Sequence, residues 1–446
     1  MITDRSVTPA SAEGSAVDTL LHDRIHGGSM RRGLMPGVLA LAAGFGSLLP
    51  SGSAAAVSPA PGIDHVVVIN LENESYATTF GSGSPATYLT KTLVPQGTLI
   101  THYYATAHVS LPNYLAEVSG QAPNPTTQFD CGGRFANVKP GTEAPGGLGQ
   151  VRAKRGCVYP ATVSTVADQI DRLSPPDPTT HLARWRAYQE DMGSDRVRDG
   201  GRTCAHPAVG SPNTTNFASL ASGYAARHNP FVWFHSVIDR TEVCAANVLP
   251  LGTLDRSGHP RSSGPLAQDF SSTSADRTPA LAFITPSLCN DGHDEVCTSK
   301  SAAGGTIGGL VAADAWLRAW VPLLLASRVA QEGHLLVVIT FDEASVFQAK
   351  AGAACCSEQS GPNVTSAGLG FGPGGGQVGA LLLGPASVVA SGARDTTDHF
   401  NHYSLLRTIE DLLGITAGGS DGLGHLGMAG APGVTSFGSN VFTEVG

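Results

Sequence analysis

Charge is what this sequence has least of: Asp, Glu, Lys and Arg make up 14% of its 446 residues, with a formal net charge of −9. Without a basic surplus there is no dominant electrostatic attraction to nucleic acid. Long apolar runs are also scarce, and beyond residues 33–49 no stretch is long enough to span a bilayer. No Cys-x-x-Cys pair is present, which argues against a zinc–thiolate site. No internal repeat is found. Apolar residues, in contrast, reach 41%, too many for a disordered chain and enough for a large core. The 55 glycines and 29 prolines point to long turn-rich excursions on that core.

The N-terminus reads as a targeting segment. Residues 1–29 are polar and aperiodic. Met30-Arg31-Arg32 then precedes an apolar run from Gly33 to Leu49 and the small residues Ser51 to Ala56. A basic start, an apolar run and a small-residue cleavage site are the three parts of an export signal. Met30 is therefore a candidate start, and the paired arginines are compatible with twin-arginine export. Residues 1–56 are expected to be a cleaved extension and 57–446 a single secreted domain with no integral membrane segment. All eight cysteines follow the cleavage site, and an even number suits disulfides in an oxidising compartment. Sequence neighbours suggest Cys131–Cys157, Cys204–Cys244 and Cys289–Cys297. A bridge between adjacent Cys355 and Cys356 is awkward, so either is open to another partner.

The run 63–70 is β-branched and apolar and predicts a buried strand, as do 280–284, 334–341 and 378–383. Between them, 162–173, 309–328 and 402–413 carry apolar residues at helical spacing. Buried strands alternating with amphipathic helices predict an α/β fold, a mostly parallel central sheet flanked by helices on both faces. Segments 121–160, 251–279 and 345–377 read as loop excursions, the first and third as stapled loops near a site.

In such sheets ligands gather outside the carboxyl ends of the strands. Strand 63–70 runs into Glu72-Asn73, strand 280–284 leads to Asp291-Gly-His293, and strand 334–341 runs into Asp342-Glu343. Carboxylates brought together repel one another unless a cation is held between them. Ser110 precedes Pro112 in His108-Val-Ser-Leu-Pro-Asn-Tyr114, which suits the first turn of a helix whose amides favour an anion. Taken alone, Ser110 reads equally as a helix cap. No Gly-x-Ser-x-Gly elbow surrounds it, so a serine-esterase mechanism gains no support. Among the histidines, His108, His293, His399 and His402 sit beside other candidate polar residues, while His65 reads as structural.

Together, INLENESY, HVSLPNYLAEVSG, FITPSLCNDGH, VVITFDEA and HFNHYSLLRTIEDLLG resemble the bacterial phosphoesterase family. That family includes secreted acid phosphatases and phosphocholine-specific phospholipases C, and belongs to the alkaline phosphatase superfamily. The resemblance runs in order from about residue 63 to 415. It implies an alkaline phosphatase-like fold, with Ser110 as nucleophile and Glu72, Asn73, Asp342 and Glu343 as metal ligands. Glu343 stands where relatives often have a second aspartate. His293 and His402 are implied as proton donors, and Asn73, His108, Asp291 and His399 as phosphate-binding residues. An oxygen-rich ligand set suits Ca²⁺, Mg²⁺ or Mn²⁺ better than Zn²⁺.

The chemistry this implies is in-line attack by Ser110 on phosphorus, a phosphoserine, and its hydrolysis by water. The substrate is then a phosphorylated small molecule or a lipid phosphate. Acid phosphatase-type monoesterase activity is the first reading. A phospholipase C-type phosphodiesterase is the alternative, and an aromatic cage for the second substituent would favour it. A catalytically silent extracellular binding module is the reading of another class. If the proton donors are histidines of ordinary basicity, activity should peak below their usual pKa of about 6.5.

Overall fold

The computed structural model describes residues 62–139, 147–151, 155–173, 184–294, 296–347, 352–356, 358 and 373–443. The expected export signal within 1–56 lies outside the described residues, as does part of the third excursion. The main sheet has eight strands: β1 (His65–Leu71), β2 (Thr98–Ile100), β3 (Trp185–Gln189), β4 (Val248–Pro250), β5 (Leu281–Thr285), β6 (Leu335–Phe341), β7 (Ala380–Leu383) and β8 (Ala393–Asp395). Their order across the sheet is β8-β2-β7-β6-β1-β5-β3-β4. β7 runs antiparallel to β6 and β2, and every other pairing is parallel. The mostly parallel sheet expected from the alternating pattern is therefore present, with one reversed strand.

Val66 to Leu71 and Leu335 to Phe341 are buried without a break. Successive side chains of a strand point to opposite faces, so both faces of the sheet centre are covered. That is why these strands read as continuous apolar runs rather than alternating ones. The longer helices are α1 (Ser110–Ser119), α2 (Val166–Leu173), α3 (Gly309–Leu325) and α4 (His402–Leu412). β2, β3, β4 and β8 are not among the strands expected, because TLI, WRAYQ, VLP and ARD are short and most carry polar or proline residues.

α1 ends at Gly120, whose φ of +64° is the left-handed conformation glycine adopts freely. A Cβ there would lie 2.2 Å from the carbonyl oxygen of Leu426, so the close approach of the C-terminal segment requires glycine.

The expected bonds Cys131–Cys157, Cys204–Cys244 and Cys289–Cys297 are all formed. Cys355 and Cys356 pair with each other rather than with other partners, and their sulfurs pack against the carbonyls of Phe400 and His399. The second excursion is not purely superficial. Its Asp269 is fully buried and accepts a hydrogen bond from the Tyr188 hydroxyl at 2.7 Å.

One polar clamp ties α4 to the segment that follows it. His425 Nε2 lies 2.9 Å from Asp411 Oδ1 and Nδ1 lies 2.5 Å from Asp421 Oδ2. Burial alone would lower the pKa of His425, but the two carboxylate hydrogen bonds outweigh it and raise it above 6.5. Burial would likewise raise both aspartates, and the same bonds hold them below 3.8. A raised histidine stabilises the fold fully below pH 6.5 and loses that contribution as pH climbs through its folded value. Depressed aspartates stabilise above 3.8 and lose that contribution as pH falls through theirs. The melting-temperature gap between wild type and His425→Asn is therefore expected to be widest between about pH 4 and 6.5 and to narrow on the alkaline side. A gap that widens above pH 7 in differential scanning fluorimetry would contradict the clamp.

Candidate active site

The sheet register brings three strand ends together. β1 lies between β5 and β6, with Val66 opposite both Leu281 and Leu336. Just beyond β1, Glu72 N–H donates to the Asp291 carbonyl at 2.8 Å and Asp342 N–H donates to the Leu71 carbonyl at 2.9 Å. The backbone thus locks Glu72, Asp291 and Asp342 side by side. All three, with Glu343, are at most 2% exposed.

Asn73 follows with φ of +53°, a left-handed conformation that asparagine tolerates better than most residues. This turns its N–H onto Asp342 Oδ1 at 3.0 Å, and the same oxygen accepts from Glu343 N–H at 2.6 Å. With its amide nitrogen toward the acidic pair, the Asn73 side chain lies 3.0 Å from Glu343 Oε1 and 3.2 Å from Asp342 Oδ1. Its oxygen then accepts from His293 Nε2 at 2.9 Å. His108 Nδ1 contacts Glu343 Oε2.

Ser110 is the first residue of α1. Its hydroxyl donates to Glu72 Oε2 at 2.8 Å rather than capping a backbone amide. One turn on, the Tyr114 hydroxyl donates to Glu72 Oε1 at 2.6 Å. Residues four apart share a helix face, so one side of α1 supplies both donors. The Asn113 side-chain oxygen Oδ1 accepts from the N–H groups of Thr106 and Ala107, fixing the approach to the helix. Asp130, carried on the loop stapled by Cys131–Cys157, accepts from Leu111 N–H at 3.0 Å and pairs with Arg227 at 3.5 Å. This loop lies against the first turn of α1.

The electrostatics are those of crowded carboxylates. Burial, then the charge of Asp291, pushes the Glu72 carboxyl up to about 8. Burial pushes Asp291 up to about 7 against the pull of His293. Burial, then Glu72 and Glu343, holds Asp342 well above the carboxylate range. Among the described residues, neither Asp291 Oδ2 nor Asp342 Oδ2 has a hydrogen-bond donor, and no three His, Cys, Asp or Glu side chains converge as a ready metal cage.

Two of the histidines depart from their expected roles. His402 is fully buried beneath the site, with Nε2 2.6 Å from the Asp342 carbonyl oxygen and Nδ1 3.0 Å from both the Tyr103 hydroxyl and Glu117. Fully buried, with both ring nitrogens turned to protein groups, it is not placed to reach a leaving group. His399 is exposed and its ring packs on His102 and Tyr104 at centroid distances of 4.6 and 5.7 Å. It makes no described contact with the acidic cluster. His293 does lie at the site, and the hydrogen bond its Nδ1–H donates to Asp294 raises it to about 9. A proton held that firmly removes the expected reason for an activity peak below 6.5.

Three groups here escaped the sequence reading. His228 Nε2 lies 3.2 Å from Glu72 Oε1 and Nδ1 lies 3.7 Å from Asp291 Oδ2, with the ring stacked on Tyr114. Burial, then Arg227, lowers its pKa well below 6.5, so it stands as neutral imidazole. Arg227 and Asp130 complete the set. None of these three follows a long apolar strand.

The Tyr114–Glu72 bond can be tested by stability. Tyr114→Phe removes one donor from a buried carboxyl and is expected to cost about 1–3 kcal/mol. It should lower the urea midpoint without changing the m-value, and an unchanged midpoint would show the hydroxyl to be dispensable.

The profile of the Phosphoesterase family matches residues 84–416. A "Probable acid phosphatase" of Kluyveromyces lactis is 25% identical over 346 residues, covering 77% of this chain and 56% of that protein. An acid phosphatase of Aspergillus fumigatus is 28% identical over 258 residues, covering 57% and 40%. This chain therefore spans about half the length of the curated relatives it matches, and these are fungal, not bacterial. A solved protein of the alkaline phosphatase superfamily from Vibrio parahaemolyticus aligns with a TM-score of 0.40 and 12% identity, covering 80% of this chain and 68% of that one.

Proposed function

The chain belongs to the phosphoesterase family, and on that premise we propose that it is a secreted phosphomonoesterase acting through a phosphoserine on Ser110. The observation that carries this reading is the Ser110 hydroxyl at the N-terminus of α1, 2.8 Å from Glu72 Oε2 beside the acidic turns of two neighbouring strands. A hydroxyl hydrogen-bonded to a carboxylate is poised to lose its proton as it attacks, and a helix N-terminus favours the phosphoryl charge.

Ser110 Oγ forms the bond to phosphorus while its proton moves toward Glu72. His293, held protonated by Asp294, is placed beside Asn73 to protonate the departing alkoxide. Asn73, Arg227 and the α1 amides orient the phosphoryl oxygens, and water then cleaves the phosphoserine.

The donor chemistry suits a hard divalent cation. The site is rich in oxygen ligands, and Asp291 and Asp342 each carry a buried oxygen without a donor. A cation held by Glu72, Asp342 and Glu343, with Asp291 beside them, would supply charge that keeps the carboxylates ionised, acidifies Ser110 and neutralises phosphoryl oxygens; Asn73, whose amide nitrogen faces the acids, would join them only by turning its oxygen toward the ion. Ca²⁺, Mg²⁺ and Mn²⁺ fit such ligands better than Zn²⁺.

The dispersal of the aromatics supports a monoester. Tyr103, Tyr114 and Tyr403 are fully buried and Tyr104 packs on His399, so they do not converge as a cage for a choline head group. Four disulfides support an oxidising, extracellular location. Among the described residues no helix is long and apolar enough to cross a membrane.

Purified protein, stripped with chelator and resupplied with each divalent metal, is expected to hydrolyse p-nitrophenyl phosphate faster than its bis ester. Ser110→Ala should lose on the order of a thousandfold in kcat, and an acid quench of wild type should leave phosphate on the Ser110 peptide. Full activity in Ser110→Ala would overturn the mechanism. The activating metal should also raise the melting temperature of wild type more than that of Asp342→Asn; equal shifts would place the metal elsewhere.

A further inference from the structure

A second polar layer lies under the site and includes an acid the mechanism above does not use. Glu117 sits on α1 seven residues after Ser110, two helical turns along the same side, and is fully buried. Its Oε2 accepts from the Asn70 amide at 2.7 Å and its Oε1 lies 3.0 Å from His402 Nδ1. Asn70 and Glu72 are two apart on one extended segment and so share a face. α1 therefore lies along that face with Ser110 and Tyr114 on Glu72 and Glu117 on Asn70.

We propose that Glu117 is a positioning residue that works through His402 to hold the Asp342–Glu343 turn in register with Ser110. The inference rests on the phosphoesterase reading of the site. A carbonyl oxygen can only accept, so His402 Nε2 must carry the hydrogen in its 2.6 Å bond to Asp342 O. Nδ1 then faces Glu117 and the Tyr103 hydroxyl, each at 3.0 Å. Whatever the protonation of Glu117 and of Nδ1 at this 3.0 Å contact, the Nε2–H donor persists. The ring is thereby locked from both ends, one on the nucleophile's helix and the other on the acidic turn.

Asp342 is in consequence restrained at its own N–H by the Leu71 carbonyl, at its carbonyl by His402, and at Oδ1 by the N–H groups of Asn73 and Glu343. Without Glu117 the imidazole keeps only the Tyr103 hydroxyl at Nδ1, its Nε2–H donor is held less firmly on the Asp342 carbonyl, and the acidic pair gains freedom relative to Ser110. Displacements near 1 Å cost on the order of a hundredfold in rate.

The test compares Glu117→Leu, Glu117→Gln, His402→Leu and His402→Gln with wild type and Ser110→Ala, measuring kcat, KM and melting temperature together. Folded E117L should lose roughly 10- to 100-fold in kcat with KM within about threefold. E117Q, whose amide can still bond both Asn70 and Nδ1, should recover most of that loss. The double variant E117L/H402L should be no slower than H402L alone, because both act through one ring. Folded E117L with wild-type kcat, or losses that multiply in the double variant, would overturn the proposal. If E117L does not fold, H402L against H402Q decides: a loss in kcat regained by the amide supports the relay, and equal rates overturn it. An inactive wild type or a fully active S110A overturns the hydrolase reading and the relay with it. A Ser110-dependent wild type with an unaffected E117L sinks the relay alone.

Discussion

Four carboxyl groups buried side by side, Glu72, Asp291, Asp342 and Glu343, are the constraint around which the rest of the structure is arranged. Desolvation and mutual repulsion both oppose their ionisation, and the raised pKa values of Glu72, Asp291 and Asp342 register that opposition. Hydrogen-bond donors are accordingly drawn in from every neighbouring element. Ser110 and Tyr114 come from α1, the Asn73 N–H from the turn after β1, and the His293 N–H from the loop after β5. The donors stop short of full compensation, and the two bare oxygens on Asp291 and Asp342 are where further positive charge is wanted.

The parallel sheet is what allows such crowding. Neighbouring parallel strands end at the same level, so the three turns after β1, β5 and β6 meet in register and bond to one another through their backbones. α1 then serves as a ruler along the first of them, touching Glu72 with its first turns and Asn70 with its last. The loop stapled by Cys131–Cys157 closes the arrangement by returning Asp130 to the Leu111 amide. The nucleophile candidate is thus held by the same elements that hold the acids.

Much of this could be read in advance where a residue's role follows from its position on a periodic element. Glu72, Asn73, Asp342 and Glu343 directly follow strands whose apolar runs are unmistakable, and Asp291 and His293 lie in the loop bounded by Cys289 and Cys297. The helix stripe of 402–413 likewise placed α4. The two misread histidines show the limit. His399 and His402 flank the start of one helix three residues apart, and nothing in their spacing says which side faces the site. Packing decides it: the α4 N-terminus enters beneath Asp342, burying His402, while His399 remains outside against His102 and Tyr104. His228 and Arg227 were unreadable for the opposite reason, since they lie on a short irregular turn with no periodic pattern to orient them.

By itself the sequence determined the parallel α/β core, and it suggested three of the four disulfide pairings and the meeting of acidic residues at one sheet edge. Those features depend on apolar periodicity, on chain proximity and on the rule that parallel strands end together, all of which are local or topological. Tertiary structure alone decided which polar groups answer the acids. Ser110 spends its hydroxyl on Glu72 instead of its own helix, His402 lies under the site instead of in it, and Glu117 lies beneath His402. Those assignments depend on the docking of α1 and α4 against β1 and β6, a matter of side-chain distances between residues as far apart in sequence as Glu117 and His402, which no periodicity in the chain records.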